Sequence, residues 1–245
     1  MANTGLPFQK YLSEKNSVLI CSLDGIKQFA HNEDKPFRSA SVIKLFILGY
    51  YIHNNVPLDM ELTIPKKKMI GTSIITELKI TSATVYELLC YMIASSDNTA
   101  TNILIEYASF EAINDYIKNE LGCENTVLAR KMLDMKAAAE GRDNYTSLMD
   151  VHCVMTRMML SKTARDIMAM QKGNERIRRY MYDMSIKYYG KGGDLPDVYN
   201  DAAIIGINEK YVFAGVLSNG FEKGSAKRLC GMVGLEAINS AKPLV

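Results

Sequence analysis

The two ends of the chain carry the residue pattern of β-strands, and the long segment between them carries the periodicity of helices. Near the N-terminus, two apolar runs flank the turn Asp24-Gly25 and predict a β-hairpin over residues 17–32. Near the C-terminus, three more runs predict an antiparallel meander with strands around 184–190, at 199–207 and at 211–218. Strands so far apart in sequence join most simply into one sheet if the helices form an insertion. The expected fold class is therefore α+β, an antiparallel sheet built from both termini with an inserted all-helical lobe.

Helical periodicity recurs along the rest of the chain. It predicts helices at residues 6–15, at 41–52, twice within 84–108, at 109–119, at 148–160, at 174–181 and at 226–238. Thr84 and Glu87 form a capping-box pattern, and residues 122–146 are polar and weakly periodic, which predicts an ordered surface loop. We expect a single domain over residues 1–245, with an α/β lobe of residues 1–40 and 184–245 and a helical lobe of about 41–183.

Charge and composition exclude several classes of function. The chain has 29 basic and 27 acidic residues, so nothing indicates nucleic acid or an anionic membrane as its partner. No apolar run reaches the roughly 18 residues of a membrane-spanning helix. The five cysteines form no C-x-x-C pair and the three histidines show no metal-binding spacing, so no metal or cofactor is expected. The first residues resemble no signal peptide, which predicts a cytoplasmic protein, or alternatively an exported one whose signal has been removed.

The sequence Ser41-Val42-Ile43-Lys44 is the first of three motifs that carry chemistry. At the start of a helix, residues three apart share one face, with Cβ atoms about 5–6 Å apart. A serine hydroxyl becomes a useful nucleophile when a base takes its proton, and a lysine desolvated in an apolar site is suited to that task. Lys44 lies within an apolar run, where a solvated lysine is not expected. By itself the motif also fits a capping serine followed by an exposed lysine.

The second motif is Ser96-Asp97-Asn98, which separates two predicted helices. In a catalytic site, Ser96 would pass a proton and Asn98 would hold a substrate through its amide. The same residue types are also favoured at helix N-caps, so the motif alone does not decide between the two roles.

The third motif is Lys191-Gly192-Gly193, near the start of the C-terminal strands. Glycines beside a lysine on a strand would let a substrate backbone approach closely, although a simple turn is the commoner role. Lys223-Gly224-Ser225 is a competing match, but it precedes the last predicted helix and no strand follows it.

In this order and spacing, the motifs resemble S-x-x-K, S-D-N and K-T-G of the class A β-lactamase and penicillin-binding protein superfamily. The resemblance runs from about residue 15 to the C-terminus and includes FRSASVIKLFI, YELLCYMIASSDNTATNILIEY and GRDNYTSLMDV. It implies that Ser41 attacks a substrate carbonyl, that Lys44 acts as base or relay, and that Ser96 passes a proton to the leaving nitrogen. It also implies an oxyanion hole made by the N–H of Ser41 and another from the strand after Gly193. The implied substrate-binding residues are Asn98, Lys191, Gly192 and Gly193.

One departure from the family pattern affects the second half of the reaction. In class A β-lactamases, a glutamate two residues after a loop arginine activates the water that hydrolyses the acyl-enzyme. The matching residue here, two after Arg130, is Met132, whose thioether cannot accept a proton. Asp134 and Glu140 are nearby carboxylates, but neither falls at the matching position. We therefore expect slow deacylation.

A second departure is Gly192, where the family has Thr or Ser. The glycine lacks the hydroxyl that the family places in its pocket for the substrate carboxylate. A hydrogen bond to a charged group contributes about 1.5–3 kcal/mol, so weaker binding of β-lactams and carboxylate-terminated peptides is expected.

Together the motifs predict a class A β-lactamase-like serine hydrolase that forms an acyl-enzyme on Ser41 with β-lactams or related amides and esters. Its expected partner is such a small molecule, and the oligomeric state is left open. One alternative is a peptidase or esterase acting on D-amino-acid peptides or small esters. Another is a binding module that has lost catalysis, against which the presence of both Ser41 and Lys44 argues.

Overall fold

A five-stranded antiparallel sheet is the largest sheet of the computed structural model, which describes residues 6–71, 73–183 and 185–241. In the order in which they lie side by side, its strands are β2 (Lys27–His31), β1 (Asn16–Ser22), β9 (Lys210–Ser218), β8 (Val198–Ile207) and β7 (Lys187–Leu195). The N-terminal hairpin joins the C-terminal meander where β1 pairs with β9, with Leu19 opposite Gly215. The α+β fold with a sheet built from both termini is therefore confirmed.

The helices of the middle of the chain pack on one face of this sheet. They are α1 (Lys44–His53), α2 (Ile74–Leu78), α3 (Val85–Ala94), α4 (Asn98–Ala108), α5 (Phe110–Asp115), α6 (Met135–Ala139), α7 (Leu148–Met158) and α8 (Lys162–Ala169). Two short ribbons lie among them, β3 (Phe37–Arg38) with β6 (Tyr145–Thr146), and β4 (Glu61–Thr63) with β5 (Ser82–Thr84). The last helix, α9 (Lys223–Ala241), packs on the opposite face of the sheet.

Strand β1 is buried on both faces, and its side chains alternate between two apolar cores. Leu19 and Cys21 pack with the inserted helices, whereas Val18 and Ile20 pack with α9. Successive side chains of a strand point to opposite faces, so a strand covered on both sides must be apolar throughout. The run SVLICSL in the sequence meets that requirement.

Several element bounds differ from the sequence predictions. The helix predicted at 6–15 is a single 3₁₀ turn, Gln9–Tyr11, because the Asn16 side chain bonds the Tyr11 carbonyl (2.8 Å) and leads the chain directly into β1. The helix predicted at 174–181 is likewise a 3₁₀ turn, Ile177–Tyr180. The helix predicted at 109–119 ends at Asp115 and continues as a π-helical turn, Tyr116–Glu120.

Other differences concern elements that were not predicted. Helix α8 follows α7 closely, with the Ser161 hydroxyl accepting a hydrogen bond from the Ala164 N–H (3.3 Å) as its N-cap. The segment predicted as a loop at 122–146 contains the short helix α6. The predicted strand around 184–190 begins at residue 184, which lies outside the described residues, as do 1–5 and 242–245 at the ends of the predicted domain. The division into two lobes stays a prediction.

Candidate active site

Ser41 lies in a 3₁₀ turn, Ala40–Ile43, that leads into α1. The structure therefore corrects the expectation that the helix begins at Ser41, because the α-helical bonds start at Lys44. Ala40 has a positive φ of 46°, a conformation that costs free energy for a residue with a side chain. A side chain at Gly193 would place its Cβ 2.7 Å from the Ser41 nitrogen, so the glycine is what allows β7 to pack against this turn.

Lys44 is fully buried, and its ammonium group is held by the second motif. Its Nζ donates to the Ser96 carbonyl (2.7 Å), to Ser96 Oγ (3.0 Å) and to Asn98 Oδ1 (2.9 Å). Burial lowers the pKa of Lys44 well below its ordinary value, and the neighbouring Lys191 charge lowers it further, while Asp97 opposes the change. The prediction of a desolvated lysine is confirmed, and Lys44 is linked to Ser41 through Ser96.

The Ser96 hydroxyl lies between the nucleophile and both lysines of the motifs. It donates to Ser41 Oγ (2.9 Å) and accepts from Lys44 Nζ and from Lys191 Nζ (3.1 Å). Ser96 has a positive φ of 59°, which turns the chain between α3 and α4. Asp97 fixes this turn, because its carboxylate caps α4 by accepting from the Ala100 N–H (2.9 Å). The helix-cap role considered for this motif is therefore present, and the same turn places Ser96 and Asn98 within hydrogen-bond distance of Lys44.

Lys191 is the second buried lysine and approaches Ser96 from strand β7. Its Nζ also donates to the Gly192 carbonyl (2.7 Å). Burial lowers its pKa to about 7, the nearby Arg176 charge adds to the effect, and Asp201 and Asp194 oppose it. At neutral pH a group with that pKa can either give or accept a proton. The competing match, Lys223-Gly224-Ser225, forms the first turn of α9 instead of a strand.

Met132 lies beside Ser41 because α4 holds its backbone. Asn102, one helical turn after Asn98, accepts a hydrogen bond from the Met132 N–H (2.8 Å) and donates to the Met132 carbonyl (3.1 Å). Met132 lines one cavity with Ser41 and Asn98. The nearby carboxylates are engaged elsewhere, since Asp134 caps α6 and Glu140 pairs with Arg142.

An ion pair joins the two ends of the loop that carries Met132. Arg130 and Asp143 are mostly buried, and Nε of the arginine lies 2.8 Å from Oδ1 of the aspartate. The side-chain amide of Asn144 accepts a hydrogen bond from the Arg130 N–H (2.9 Å) and donates one to the Arg130 carbonyl (3.1 Å). The backbone carbonyl of Asn144 accepts from the Ser39 N–H (2.8 Å). The loop is therefore tied to the turn that precedes Ser41. From the sequence, Arg130 was identified by itself, and Asp143 and Asn144 only as part of the stretch GRDNYTSLMDV.

Arg176 occupies the space beside Gly192. A Cβ at Gly192 would lie 2.8 Å from Arg176 Nε, so the guanidinium fills the place of a side chain at this position. The guanidinium packs on the Tyr199 ring at 4.0 Å and bonds the Asn200 carbonyl (3.0 Å) and the Asp194 carboxylate. Arg176 was not predicted from the sequence, because it belongs to no motif. The one available signal was Gly192, whose missing side chain leaves space for another residue.

An open cleft of about 630 Å³ brings the predicted site residues together, a size in the range of small-molecule sites. The predicted residues that line it are Ser41, Ser96, Asn98, Lys191, Gly192 and Gly193. Lys44 lies beneath them and joins them through its hydrogen bonds. Within the described part of the chain, no group of three His, Cys, Asp or Glu side chains is placed to hold a metal ion. None of its helices is both long and apolar enough to cross a membrane.

The sequence model of the Beta-lactamase enzyme family matches residues 6–241, nearly the whole chain. The chain belongs to this family. The resemblance drawn from the three motifs is thereby confirmed, and the family indicates a serine β-lactamase-type hydrolase. A search of curated proteins finds no match.

Several solved structures share the fold. A β-lactamase from Sphaerobacter thermophilus superposes with a TM-score of 0.82 at 22% identity, covering 94% of this chain and 92% of that one. PBP-A superposes with a TM-score of 0.79 at 23% identity, covering 96% and 93%. A PBP-A mutant, described as an acyl-enzyme complex with penicillin G, superposes with a TM-score of 0.78 at 24% identity, covering 96% and 92%. At these identities the likeness concerns the fold alone.

Proposed function

We propose that the protein is a serine hydrolase that forms an acyl-enzyme on Ser41 with β-lactams or related amides and esters, and that it hydrolyses this intermediate slowly. The observation that carries the proposal is the Ser96 hydroxyl, which lies within 2.9–3.1 Å of Ser41 Oγ, Lys44 Nζ and Lys191 Nζ. Such a link between a nucleophile and buried amines is what proton transfer at neutral pH requires.

In the acylation step, the Ser41 proton moves to Ser96 while Ser96 gives its own proton to whichever of its two lysine partners, Lys44 or Lys191, is neutral. Rotation of the two hydroxyls reverses the resting hydrogen bonds and permits this transfer. Ser41 Oγ then bonds to the substrate carbonyl carbon, and the oxyanion is bound by the Ser41 N–H and an N–H of β7 after Gly193. When the C–N or C–O bond of the substrate breaks, the leaving group takes a proton from Ser96, which the lysine replaces. The product is an ester of Ser41.

In the deacylation step, a water molecule must lose a proton as it attacks this ester. Met132, which lines the same cavity as Ser41, has no group that accepts one. General-base assistance contributes about 10²–10⁴-fold to such a step, so the ester should persist. The penicillin G acyl-enzyme described for the PBP-A mutant supports the view that this fold can accommodate such an ester.

Intact-mass measurement after incubation with a penicillin tests the proposal, with a Ser41→Ala variant as the control. We expect a mass increase of one penicillin on the wild-type protein, none on the variant, and little turnover of a chromogenic cephalosporin. No adduct on the wild-type protein together with no turnover would refute acylation. Rapid turnover would instead refute the role given to Met132.

A second candidate substrate class is a D-amino-acid peptide or small ester. Strand β7 is one of the two edge strands of the sheet and borders the cleft, so an extended peptide can pair with it as an added strand. Release of a D-amino acid from a short peptide, followed by mass spectrometry and absent in Ser41→Ala, would favour this substrate class over β-lactams.

A further inference from the structure

The guanidinium of Arg176 is the cation closest to the position where the family carries a hydroxyl. It lines the same cleft as Ser41 and Lys191. Its side chain is only 12% exposed and is fixed by the Tyr199 ring and the Asn200 carbonyl. Because an arginine binds carboxylates through a rigid fork of donors, its place in the cleft would suit a substrate carboxylate if the fork were free.

The fork is occupied by a carboxylate of the protein itself. Asp194 follows Gly193 on β7, and its Oδ2 accepts from Arg176 Nη2. Its Oδ1 lies 3.8 Å from Lys223 Nζ, and its side chain is 46% exposed at the cleft. A substrate carboxylate that approached Arg176 would displace Asp194 or lie beside it, and like charges repel each other.

The other charged side chains of the cleft do not replace Arg176 as a binding site for a substrate carboxylate. Lys172 is exposed at the rim, and Lys191 has a pKa of about 7, so it carries a full charge only below neutral pH. Asp201 lies buried opposite Gly192 on β8, and burial raises the pKa of its carboxyl. The part of the cleft next to Gly192 therefore offers little free positive charge.

We propose that Asp194 determines substrate specificity by occupying Arg176, so that the site prefers acyl donors whose group facing Arg176 is uncharged. This inference rests on the acylation of Ser41 proposed above. The preferred substrates are then neutral amides and esters, and amides and esters that carry a carboxylate are disfavoured. Asp194 is a specificity-determining residue and takes no part in the proton transfers.

The experiment compares benzylpenicillin with its methyl ester, which share the reactive ring and differ in the charge of one group. The rate constant of acylation is measured by intact mass for the wild-type protein, for Asp194→Asn and for the control Asp197→Asn. Asp197 lies three residues further along, is 50% exposed and pairs with Arg38, so it matches Asp194 in exposure and chemistry. We expect the ester to be preferred by the wild-type protein.

In Asp194→Asn, acylation by benzylpenicillin should rise about tenfold relative to acylation by the ester, since one charge-assisted contact becomes available. In Asp197→Asn the ratio should stay within twofold. An unchanged ratio in Asp194→Asn would overturn the proposal, and so would an equal change for both substrates. Since each variant is judged by a ratio of two substrates, a partial loss of folded protein does not imitate the result.

Equilibrium binding separates this inference from the acylation on which it rests. In a Ser41→Ala background no acylation occurs, and the affinity for the two penicillins is measured by calorimetry. We expect Asp194→Asn to strengthen binding of the free carboxylate about tenfold and to leave binding of the ester unchanged. If no protein forms an adduct but this binding difference appears, the acylation proposal fails and the role of Asp194 stands. An unchanged binding ratio overturns the role of Asp194.

Discussion

The substitution Met132→Glu should accelerate deacylation, because it places a carboxyl where the loop faces the acylated serine. The backbone of residue 132 is held on both sides by the Asn102 amide, at 2.8 and 3.1 Å, so its position does not depend on the side chain. The Arg130–Asp143 pair holds the ends of the loop together. A carboxyl introduced here should therefore enter the cavity that Met132 shares with Ser41 and Asn98.

The size of the effect follows from the burial of residue 132 and from the rate enhancement that a general base usually contributes. Met132 is 7% exposed, and burial of a carboxyl at this position would raise its pKa toward neutrality, which suits a base at pH 7. A well-placed base contributes about 10²–10⁴-fold, and we expect the lower end, about 10²-fold, since the surrounding cavity is shaped by a thioether. Loss of apolar packing should lower the free energy of unfolding by about 1–3 kcal/mol.

The assay is a pulse of penicillin followed by removal of the free compound, with intact mass recorded as the adduct decays. The control is Met135→Glu, which adds the same group at a residue that lines the same cavity but is 71% exposed. We expect accelerated decay in Met132→Glu and wild-type decay in the control. Wild-type decay in Met132→Glu, with normal acylation and a folded protein, would refute the reasoning about the missing base.

Three further predictions concern the proton link, the buried amine and the loop. Ser96→Ala should slow acylation about 10²–10⁴-fold by breaking the link between Ser41 and the lysines, and a rate within threefold of wild type would contradict that role. Because burial lowers the folded-state pKa of Lys191 to about 7, the folded protein binds fewer protons there than the unfolded chain between about pH 7 and 10.5. The free energy of unfolding of the wild-type protein, relative to that of Lys191→Met, should therefore rise with pH across that window by up to a few kcal/mol, as measured by urea unfolding. A difference between the two proteins that does not change with pH would argue against a buried neutral amine. Asp143→Asn should lower the free energy of unfolding by about 1–3 kcal/mol and expose the loop to protease, whereas the exposed-pair control Glu140→Gln should change it by less than about 0.5 kcal/mol.

The features that could be predicted from the sequence are those set by neighbouring residues. Asp24-Gly25 gives the hairpin turn, and Thr84 with Glu87 gives the capping box that starts α3. The continuous apolar run of β1 follows from its burial on both faces. The three motifs were visible because each is a short run of defined residue types, and their joint spacing indicated the family.

The contacts that could not be predicted depend on where distant segments meet. The Ser41-x-x-Lys44 spacing predicted that the two side chains share one face, but not that the three hydrogen bonds of Lys44 go to Ser96 and Asn98, more than fifty residues away. Arg176 reaches Gly192 where the 3₁₀ turn after it packs against α9 and β8, with the Ile177 N–H donating to the Asp201 carboxylate on β8 (3.1 Å). The buried Asn200 side chain donates to the carbonyls of Arg38 and Ser39, a contact that no local pattern encodes.

The pairing of β1 with β9 has a consequence for synthesis on the ribosome. Ser22 ends β1 and Lys210 begins β9, so 187 residues separate the two strands along the chain. At a translation rate of about 5–20 residues per second, the N-terminal hairpin waits roughly 10–40 s for its partner strand. During that time Val18 and Ile20 are without the helix that covers them, and one edge of β1 is open to other chains. The nascent chain should therefore be most prone to aggregate before β9 and α9 emerge, and a chaperone that shields the hairpin should raise the folded yield.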